Sequence, residues 1–427
     1  MKHYATYSRS DDCFPNNAPR IFQSGFGCHA TAEDGREFID YGMGLRSVIL
    51  GHAYPKVNDA VKKAIDNGVN FTRSNPYEGE LKELIKSIIP CAEEVKFGKN
   101  GSDATSGAIK LARAYTGKDI ILIASENAFY SQHDWFIGST PVDGGIPWEE
   151  KSNTVKYSYN DMTAGKFKLS PMHIEKFIGQ NEHDIAAIIL DPSTVDITEE
   201  KLQYIRGLCD KYKIIMILDE VISCFRYDIS GVQGMFGVKP DLCTLGKAMG
   251  NGFSISALCG RKDLFDLGLR GKGNVFLLSG TYFSETTGLA ASIATIKELQ
   301  DKKVPEYIWK LGQDSSDKLR FAIYKAKMDR YIQINDWMPC NPSIQYAAYD
   351  SKFTPLELKT LFDQEMVRQG ILMPYISISA SHGDKEVSQT IEAAEMALAT
   401  CKKAIDNECV KELLWGGHCE APVFRRT

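Results

Sequence analysis

Short runs of apolar residues recur along the middle of the chain, each followed at once by polar residues. The clearest runs are Ile120–Ala124, Ile185–Leu190 and Ile214–Leu218. Asp191 and Asp219 directly follow the last two. Five or six consecutive apolar residues are typical of strands that are buried on both faces. Helical patterns separate these runs. The alternation therefore predicts an α/β fold with a mainly parallel central sheet, whose ligands bind at the carboxyl ends of the strands.

A single lysine, Lys247, lies among Gly246, Gly250 and Gly252, downstream of the third apolar run. Glycines let other groups approach the main chain closely. A lysine in such a confined position is poorly solvated, which lowers its pKa and favours the neutral amine that forms a Schiff base with an aldehyde. Asp219 could hold a pyridine nitrogen protonated, so that the ring withdraws electrons. Together, Lys247 and Asp219 predict a site for pyridoxal 5'-phosphate.

Two simpler interpretations compete with this one. A lysine beside glycines is more often a solvated loop residue, and an apolar run ending in Asp-Glu also matches the magnesium-binding strand of a P-loop NTPase. The second interpretation requires the pattern G-x-x-x-x-G-K-[ST], which the sequence lacks. Because Lys247 and Asp219 lie one strand and one loop apart, their combination favours pyridoxal chemistry.

A candidate anion site precedes the first apolar run. The strand-like segment Val95–Gly98 leads into Asn100-Gly101-Ser102, and a helical pattern then continues to about Thr116. The first N–H groups of a helix have no partner within it, and its positive dipole end attracts anions. A plain helix cap is the simpler alternative. Further along, Phe129 follows the first run, where an aromatic ring could cover a flat cofactor or pack in the core.

The chain is long enough, at 427 residues, for two domains. We expect a large domain over 61–311 and a smaller α+β domain that combines an N-terminal segment, 1–60, with 312–427. A net charge of -5 gives no reason to expect nucleic acid binding. Apolar runs fall short of the ~20 residues of a membrane span, and the N-terminus lacks an apolar signal core, so we expect a cytoplasmic protein without membrane contact.

The eleven cysteines are scattered and odd in number, without a C-x-x-C pair, and the eight histidines show no H-E-x-x-H motif. Several cysteines lie within apolar runs, where cysteine acts as a small hydrophobic residue. This usage fits a reducing compartment better than a disulfide framework. We expect no metal site.

In this order, the motifs resemble class III (fold-type I) pyridoxal phosphate-dependent aminotransferases, and among them the glutamate-1-semialdehyde aminomutase branch. The resemblance covers nearly the whole chain and rests on a specific set of segments. These are Phe38–Tyr41, Ile49–Pro55, Asn100–Gly117, Asp219–Val221, Phe225-Arg226, Phe236–Asp241 and Leu245–Lys247.

The resemblance implies a role for each matching position. Lys247 would form the Schiff base and move protons during the reaction, and Asp219 would hold the pyridine nitrogen. The remaining cofactor contacts would be the phosphate cradle at Gly101 and Ser102, the stacked ring of Phe129, and Thr281, which reaches the phosphate across a homodimer. The active sites would then be shared between two subunits.

Departures from the family pattern cluster on the substrate side. The substrate-facing glutamate of the aminomutases aligns near Pro374, and their tryptophan beside the substrate aligns with about Leu45. Arg46, Tyr130 and Glu220 are the candidate substrate contacts. For Glu220 a structural role in bracing the site is favoured, and for Arg46 an ordinary surface position is the simpler alternative. These changes indicate that the pyridoxal chemistry is kept while the substrate differs.

We therefore expect an aminotransferase that moves an amino group from a small-molecule donor, glutamate by family habit, to an aldehyde or keto acceptor. An intramolecular aminomutase is the alternative, and Pro374 counts against it. A cofactor-binding protein without turnover is a third hypothesis, against which the presence of both Lys247 and Asp219 argues.

Overall fold

The computed structural model describes residues 9–127, 129–165, 172–193, 197–269, 276–349 and 352–421. It divides into two compact units. One comprises Lys56–Lys302, and the other joins Met1–Pro55 to Lys303–Thr427. The sequence placed these boundaries at 60/61 and 311/312. Both boundaries fall earlier in the structure, at 55/56 and 302/303. The second does so because a long helix of the terminal unit begins at Val304, with Pro305 in its first turn.

The strands are β1 (Phe22–Phe26), β2 (His29–Ala32), β3 (Glu37–Asp40), β4 (Glu94–Gly98), β5 (Ile120–Ala124), β6 (Thr154–Tyr157), β7 (Thr163–Gly165), β8 (Met172–His173), β9 (Ile185–Leu190), β10 (Ile215–Asp219), β11 (Leu242–Leu245), β12 (Ser256–Gly260), β13 (Ile332–Asn335), β14 (Ser343–Tyr346) and β15 (Ile371–Leu372).

The helices are α1 (Met43–Arg46), α2 (Pro55–Asp66), α3 (Pro76–Ile88), α4 (Gly101–Thr116), α5 (Asp134–Ile137), α6 (Trp148–Ser152), α7 (Ile174–Gln180), α8 (Glu199–Tyr212), α9 (Gly231–Phe236), α10 (Lys262–Phe265), α11 (Thr286–Asp301), α12 (Val304–Lys325), α13 (Pro355–Arg368) and α14 (Asp384–Asp406). Shorter 3₁₀ turns span Asp11–Cys13, Lys247–Gly250, Asp266–Gly268, Lys411–Leu413 and Trp415–Gly417.

A nine-stranded sheet forms the centre of the large unit, in the order β4-β12-β11-β10-β9-β5-β6-β7-β8. The five strands from β11 to β6 run parallel, and each strand outside them pairs antiparallel with its neighbour. The apolar runs of the sequence became β5, β9 and β10, and every residue in these strands is buried. The α/β prediction with a mainly parallel sheet is thereby confirmed.

This topology brings several strand ends to one edge. Asp219 at the end of β10 lies opposite Thr244 of β11, and Leu218 lies opposite Leu190, which directly precedes Asp191. Because β4 is antiparallel to β12, and β12 is antiparallel to β11, β4 points in the same direction as β11. The helix that follows β4 therefore begins at this same edge of the sheet.

Helix α4 is well specified at both ends. The Asn100 side chain accepts the N–H of Asp103, and the Asp103 side chain accepts the N–H of Asn100, which forms a capping box. Gly117 ends the helix in the left-handed region at a φ of 68°, where glycine is favoured. The periodicity predicts an apolar stripe at Ala104, Ala108, Leu111, Ala112 and Tyr115. The first four are buried, whereas Tyr115 near the end of the helix is 42% exposed.

The terminal unit is built from both ends of the chain. Its four-stranded sheet has the order β1-β2-β3-β15, in which β3 near the N-terminus pairs parallel with β15 near the C-terminus. The hairpin β13–β14 and the helices α12, α13 and α14 complete it. This confirms the smaller α+β domain assembled from both termini.

Candidate active site

Asp219 ends β10 with only 5% of its surface exposed. The hydroxyl of Thr244 donates a hydrogen bond of 2.7 Å to its Oδ1, and the N–H of Val221 donates one of 3.2 Å to the same atom. Within the described part of the chain, Oδ2 receives no donor. A buried carboxylate with one open oxygen fits the protonated nitrogen of a pyridine ring, which supplies a charged donor.

Burial raises the pKa of the Asp219 carboxyl to about 8, and the nearby negative charge of Asp191 adds to this effect. Asp191 directly follows β9 and is itself 3% exposed, with its Oδ1 accepting the N–H of Ser193 at 2.8 Å. The positive charge of Lys247 acts in the opposite direction. The site thus favours a further cation at Asp219, since a buried charge needs a partner of opposite sign.

Lys247 follows β11 by two positions and is half-buried. It begins the 3₁₀ turn Lys247–Gly250 with a left-handed φ of 43°. The turn is packed closely, because a Cβ added at Gly250 would lie 2.8 Å from Cγ2 of Ile255. The glycine at this position therefore permits the close turn that holds the main chain of Lys247 in place.

The start of α4 and the lysine loop both pack against Val221, two residues after Asp219. A Cβ added at Gly101 would lie 3.0 Å from Cγ1 of Val221, and one added at Gly246 would lie 3.3 Å from the same atom. The structure therefore brings Asp219, Lys247 and the helix start into one place. An interpretation of Lys247 as a solvated loop residue does not account for this arrangement.

The amide N–H groups of Gly101 and Ser102 have no acceptor within the described part of the chain. They belong to the first turn of α4, and the capping side chain of Asn100 accepts the N–H of Asp103 instead. The hydroxyl of Ser102 accepts the N–H of Gln132 at 3.0 Å. Free amides at the N-terminus of a sixteen-residue helix suit a phosphate group. The residues present thus fit both ends of pyridoxal phosphate.

Phe129 and Thr281, the other predicted cofactor contacts, both lie partly at the surface of the large unit. The ring of Phe129 is 39% exposed and packs edge-on against Phe136, with centroids 5.7 Å apart. Thr281 is exposed, and its carbonyl oxygen accepts a hydrogen bond of 3.1 Å from the side chain of Asn70. These positions leave the ring and the hydroxyl accessible, and their roles remain predictions.

Glu220 and Tyr130, two of the predicted substrate contacts, are engaged within the core. Glu220 is fully buried and accepts hydrogen bonds from the backbone of Val232 and Gln233, at 2.5 and 3.3 Å, so that it caps helix α9. Burial raises the pKa of its carboxyl to about 7. Tyr130 is 2% exposed, and its hydroxyl donates to Oδ1 of Asn127 at 2.5 Å. This arrangement favours structural roles for both residues.

Arg46 belongs to the terminal unit, where its guanidinium lies 4.4 Å from the ring centroid of Tyr375. It ends α1, whose residues adopt left-handed φ values. A cavity of about 780 Å³ lies within this unit. Leu45, Pro374 and Tyr375 line it together. The two positions at which the chain departs from the aminomutase pattern therefore meet at one cavity.

Comparison with known proteins identifies the class. The family model of the class-III aminotransferases matches residues 14–333. The chain therefore belongs to the class III aminotransferases, as its motifs predicted. Membership makes it a pyridoxal phosphate-dependent enzyme of transamination, and the geometry at Asp219 and at the start of α4 fits that cofactor.

The relatives of this chain include both an aminotransferase and an aminomutase. The chain is 30% identical over 404 residues to 3-aminobutyryl-CoA aminotransferase of Cloacimonas acidaminovorans, covering 92% of each chain. It is 35% identical over 403 residues to glutamate-1-semialdehyde 2,1-aminomutase of Methanococcus maripaludis, covering 89% of this chain and 91% of the relative.

Solved structures show the same fold. An omega-transaminase from Sphaerobacter thermophilus superposes with a TM-score of 0.79 at 24% identity, covering 90% of this chain and 91% of that one. A structure described as a transaminase with PLP bound gives a TM-score of 0.83 at 23% identity, covering 92% of this chain and 93% of that chain. The fold-type I prediction is confirmed. Among the described residues, the helices are too short or too polar to cross a membrane.

Thr244→Val should weaken binding of pyridoxal phosphate about tenfold, because the carboxylate of Asp219 loses its shorter hydrogen bond. Thr295→Val is the matched control, since the buried hydroxyl of Thr295 has no partner within the described residues. Equilibrium dialysis of the cofactor against both variants measures the effect. Equal affinities in the two variants would contradict the role assigned to Thr244.

Asp219→Asn should make the stability of the cofactor-free protein less dependent on pH. The pKa of Asp219 rises from 3.8 to about 8 on folding, so the folded state keeps a proton that the unfolded state releases. The stability that this provides is complete below about pH 4 and is lost as the pH rises through about 8. Denaturant midpoints of the wild-type chain should fall across this window more steeply than those of the variant. Parallel curves would show that Asp219 does not carry this dependence.

Proposed function

We propose that the chain catalyses transamination between two separate small molecules, an amino donor and an aldehyde or keto acceptor. The observation that carries the proposal is the convergence of Asp219, Lys247 and the start of α4 around Val221. Pyridoxal phosphate supplies an aldehyde that takes the donor's amine and a ring that withdraws electrons. The protein's residues then have to hold the phosphate, keep the ring nitrogen protonated and move one proton.

Each of these tasks has a candidate residue. The amides of Gly101 and Ser102 hold the phosphate, since they are free at a helix N-terminus. Asp219 would keep a proton on the ring nitrogen through its open Oδ2. The amine of Lys247 would hold the cofactor and would carry the proton from the α-carbon. Phe129 would cover one face of the ring, which its partial exposure allows.

The cavity of the terminal unit favours a reaction between two separate substrates over an intramolecular exchange. The resemblance places a glutamate and a tryptophan beside the substrate of the aminomutases. Here the matching positions are Pro374 and Leu45, and both line the cavity of about 780 Å³. Neither side chain can hold a charge or donate a hydrogen bond. Glutamate is proposed as the donor on family habit, and Arg46 as an anion contact.

We also place the functional unit in a homodimer. Thr281, which the resemblance assigns to the partner's phosphate, is exposed next to Tyr282, whose ring is 63% exposed. Leu277 nearby is 71% exposed. Apolar side chains at this level of exposure around a predicted contact support coverage by a second copy. All eleven cysteines are free thiols, which supports a cytoplasmic location.

Lys247→Ala should abolish turnover, because proton transfer alone contributes about 10²–10⁴-fold to such a reaction. Borohydride reduction followed by mass spectrometry should also find the cofactor attached to the Lys247 peptide in the wild type and to no peptide in the variant. Lys239→Ala is the control. Lys239 is a half-exposed lysine on the approach to β11, paired at 3.4 Å with Glu93, and its loss should leave both readouts unchanged. Normal turnover of the Lys247 variant would overturn the assignment.

The holoenzyme given an amino donor without an acceptor should release about one keto product per active site and then stop, because no second molecule is present to take up the amino group. A panel of amino acids assayed by keto acid release identifies the donor. An aminomutase would instead convert one substrate continuously into its isomer without releasing a keto acid. Absence of any product across the panel would support a binding protein without turnover.

A further inference from the structure

Three of the eleven cysteines converge inside the large unit. The sulfur atoms of Cys91, Cys243 and Cys259 all lie within 4.8 Å of one another, and each residue is fully buried. All three are free thiols. They lie far apart in the sequence, so a search for short cysteine spacings does not reveal them.

The sheet places these three residues together. Cys243 of β11 lies directly opposite Cys259 of β12, and Cys259 in turn lies opposite Val95 of β4. Cys91 stands on the segment that leads into β4. Because successive side chains of a strand point to opposite faces, and Thr244 points towards Asp219, Cys243 points to the other face. The cluster therefore lies behind the sheet, away from the cofactor site.

The hydrogen bonds of these thiols are weak. The Cys259 sulfur lies 3.6 Å from the carbonyl oxygen of Cys243, and the Cys243 sulfur lies 3.8 Å from that of Thr244. Gln233 lies next to Cys91. The amide oxygen of Gln233 accepts the N–H of Cys91 at 3.0 Å, and its amide nitrogen donates to Glu220 at 3.0 Å.

We propose that Cys91, Cys243 and Cys259 form a binding site for one thiophilic metal ion of the Zn²⁺ or Cu⁺ type. In a tetrahedral zinc site the metal–sulfur distance is about 2.3 Å, so the sulfurs lie about 3.8 Å apart. A triad within 4.8 Å is close to this geometry, since each sulfur–sulfur distance would have to shorten by about 1 Å at most. Thiolate ligands select Zn²⁺ and Cu⁺ over harder cations.

Binding replaces three S–H bonds by three metal–sulfur bonds and releases three protons to solvent. With Zn²⁺ the site then carries one net negative charge. The amide oxygen of Gln233, which accepts the N–H of Cys91, is a candidate for a fourth ligand. The ion would join the strands β11 and β12 to the segment before β4. It would thereby stabilise the part of the sheet that carries both Lys247 and the start of α4.

The test is metal analysis of the holoenzyme, produced separately in medium supplemented with zinc and with copper and then passed over a chelating resin. Elemental mass spectrometry should find about one ion per chain in the wild type, and the medium that supports it identifies the metal. Cys243→Ser and Cys91→Ser should lose most of this content. Cys209→Ser is the matched control, because Cys209 is equally buried on α8 of the same unit, and it should keep the ion.

A second measurement covers variants that fail to fold. Wild-type chain refolded with cadmium and cofactor should show a cadmium–thiolate absorption band in the ultraviolet, and Cys259→Ala refolded in the same way should not. Wild-type protein without bound metal and without this band would overturn the proposal. Equal metal content in the Cys243 and Cys209 variants would also overturn it, since the ion would then lie elsewhere.

Discussion

The buried carboxylate of Asp219 is the constraint on which the site depends. Its neighbours in the protein donate two hydrogen bonds to one oxygen, and Asp191 adds a second negative charge nearby. Without a further cation the balance favours the protonated acid, as the pKa of about 8 indicates. A pyridinium nitrogen at the open oxygen would reverse that balance, because it would supply the opposite charge and a donor together. The proposed contact between Asp219 and the cofactor would thereby remove the electrostatic cost of ionising this buried carboxyl.

The side chain of Val221, two residues after Asp219, packs against both Gly101 and Gly246. Its methyl groups occupy the space where side chains at Gly101 and Gly246 would otherwise lie. The start of α4 and the lysine loop are therefore positioned against the same side chain, two residues after Asp219. A Cβ at either glycine would require the side chain of Val221 to shift by a few tenths of an ångström. The backbone N–H of the same residue donates to the Asp219 carboxylate. Gly101 and Gly246 are required here by close approach rather than by unusual backbone angles.

The sequence predicted those parts of the structure that depend on local pattern. The apolar runs became buried parallel strands, and the helix after Asn100 begins and ends where its cap residues indicate. It could not predict features set by the tertiary arrangement. Glu220 follows Asp219 in sequence but turns to cap α9, which its neighbours in the chain do not reveal. The three cysteines meet only because β12 returns antiparallel between β11 and β4.

The turn at Met43–Arg46 in the terminal unit has backbone angles that these residue types rarely adopt. Met43, Leu45 and Arg46 all have positive φ values, from 41° to 68°. Each costs on the order of 1 kcal/mol, and such strain persists only where the surrounding structure fixes it. The side chain of Asp40 accepts the N–H groups of Gly42 and Met43, at 2.8 and 3.2 Å, and so holds the start of the turn. The turn places Leu45 at the cavity that Pro374 also lines, so this strain is located where the proposed substrate difference lies.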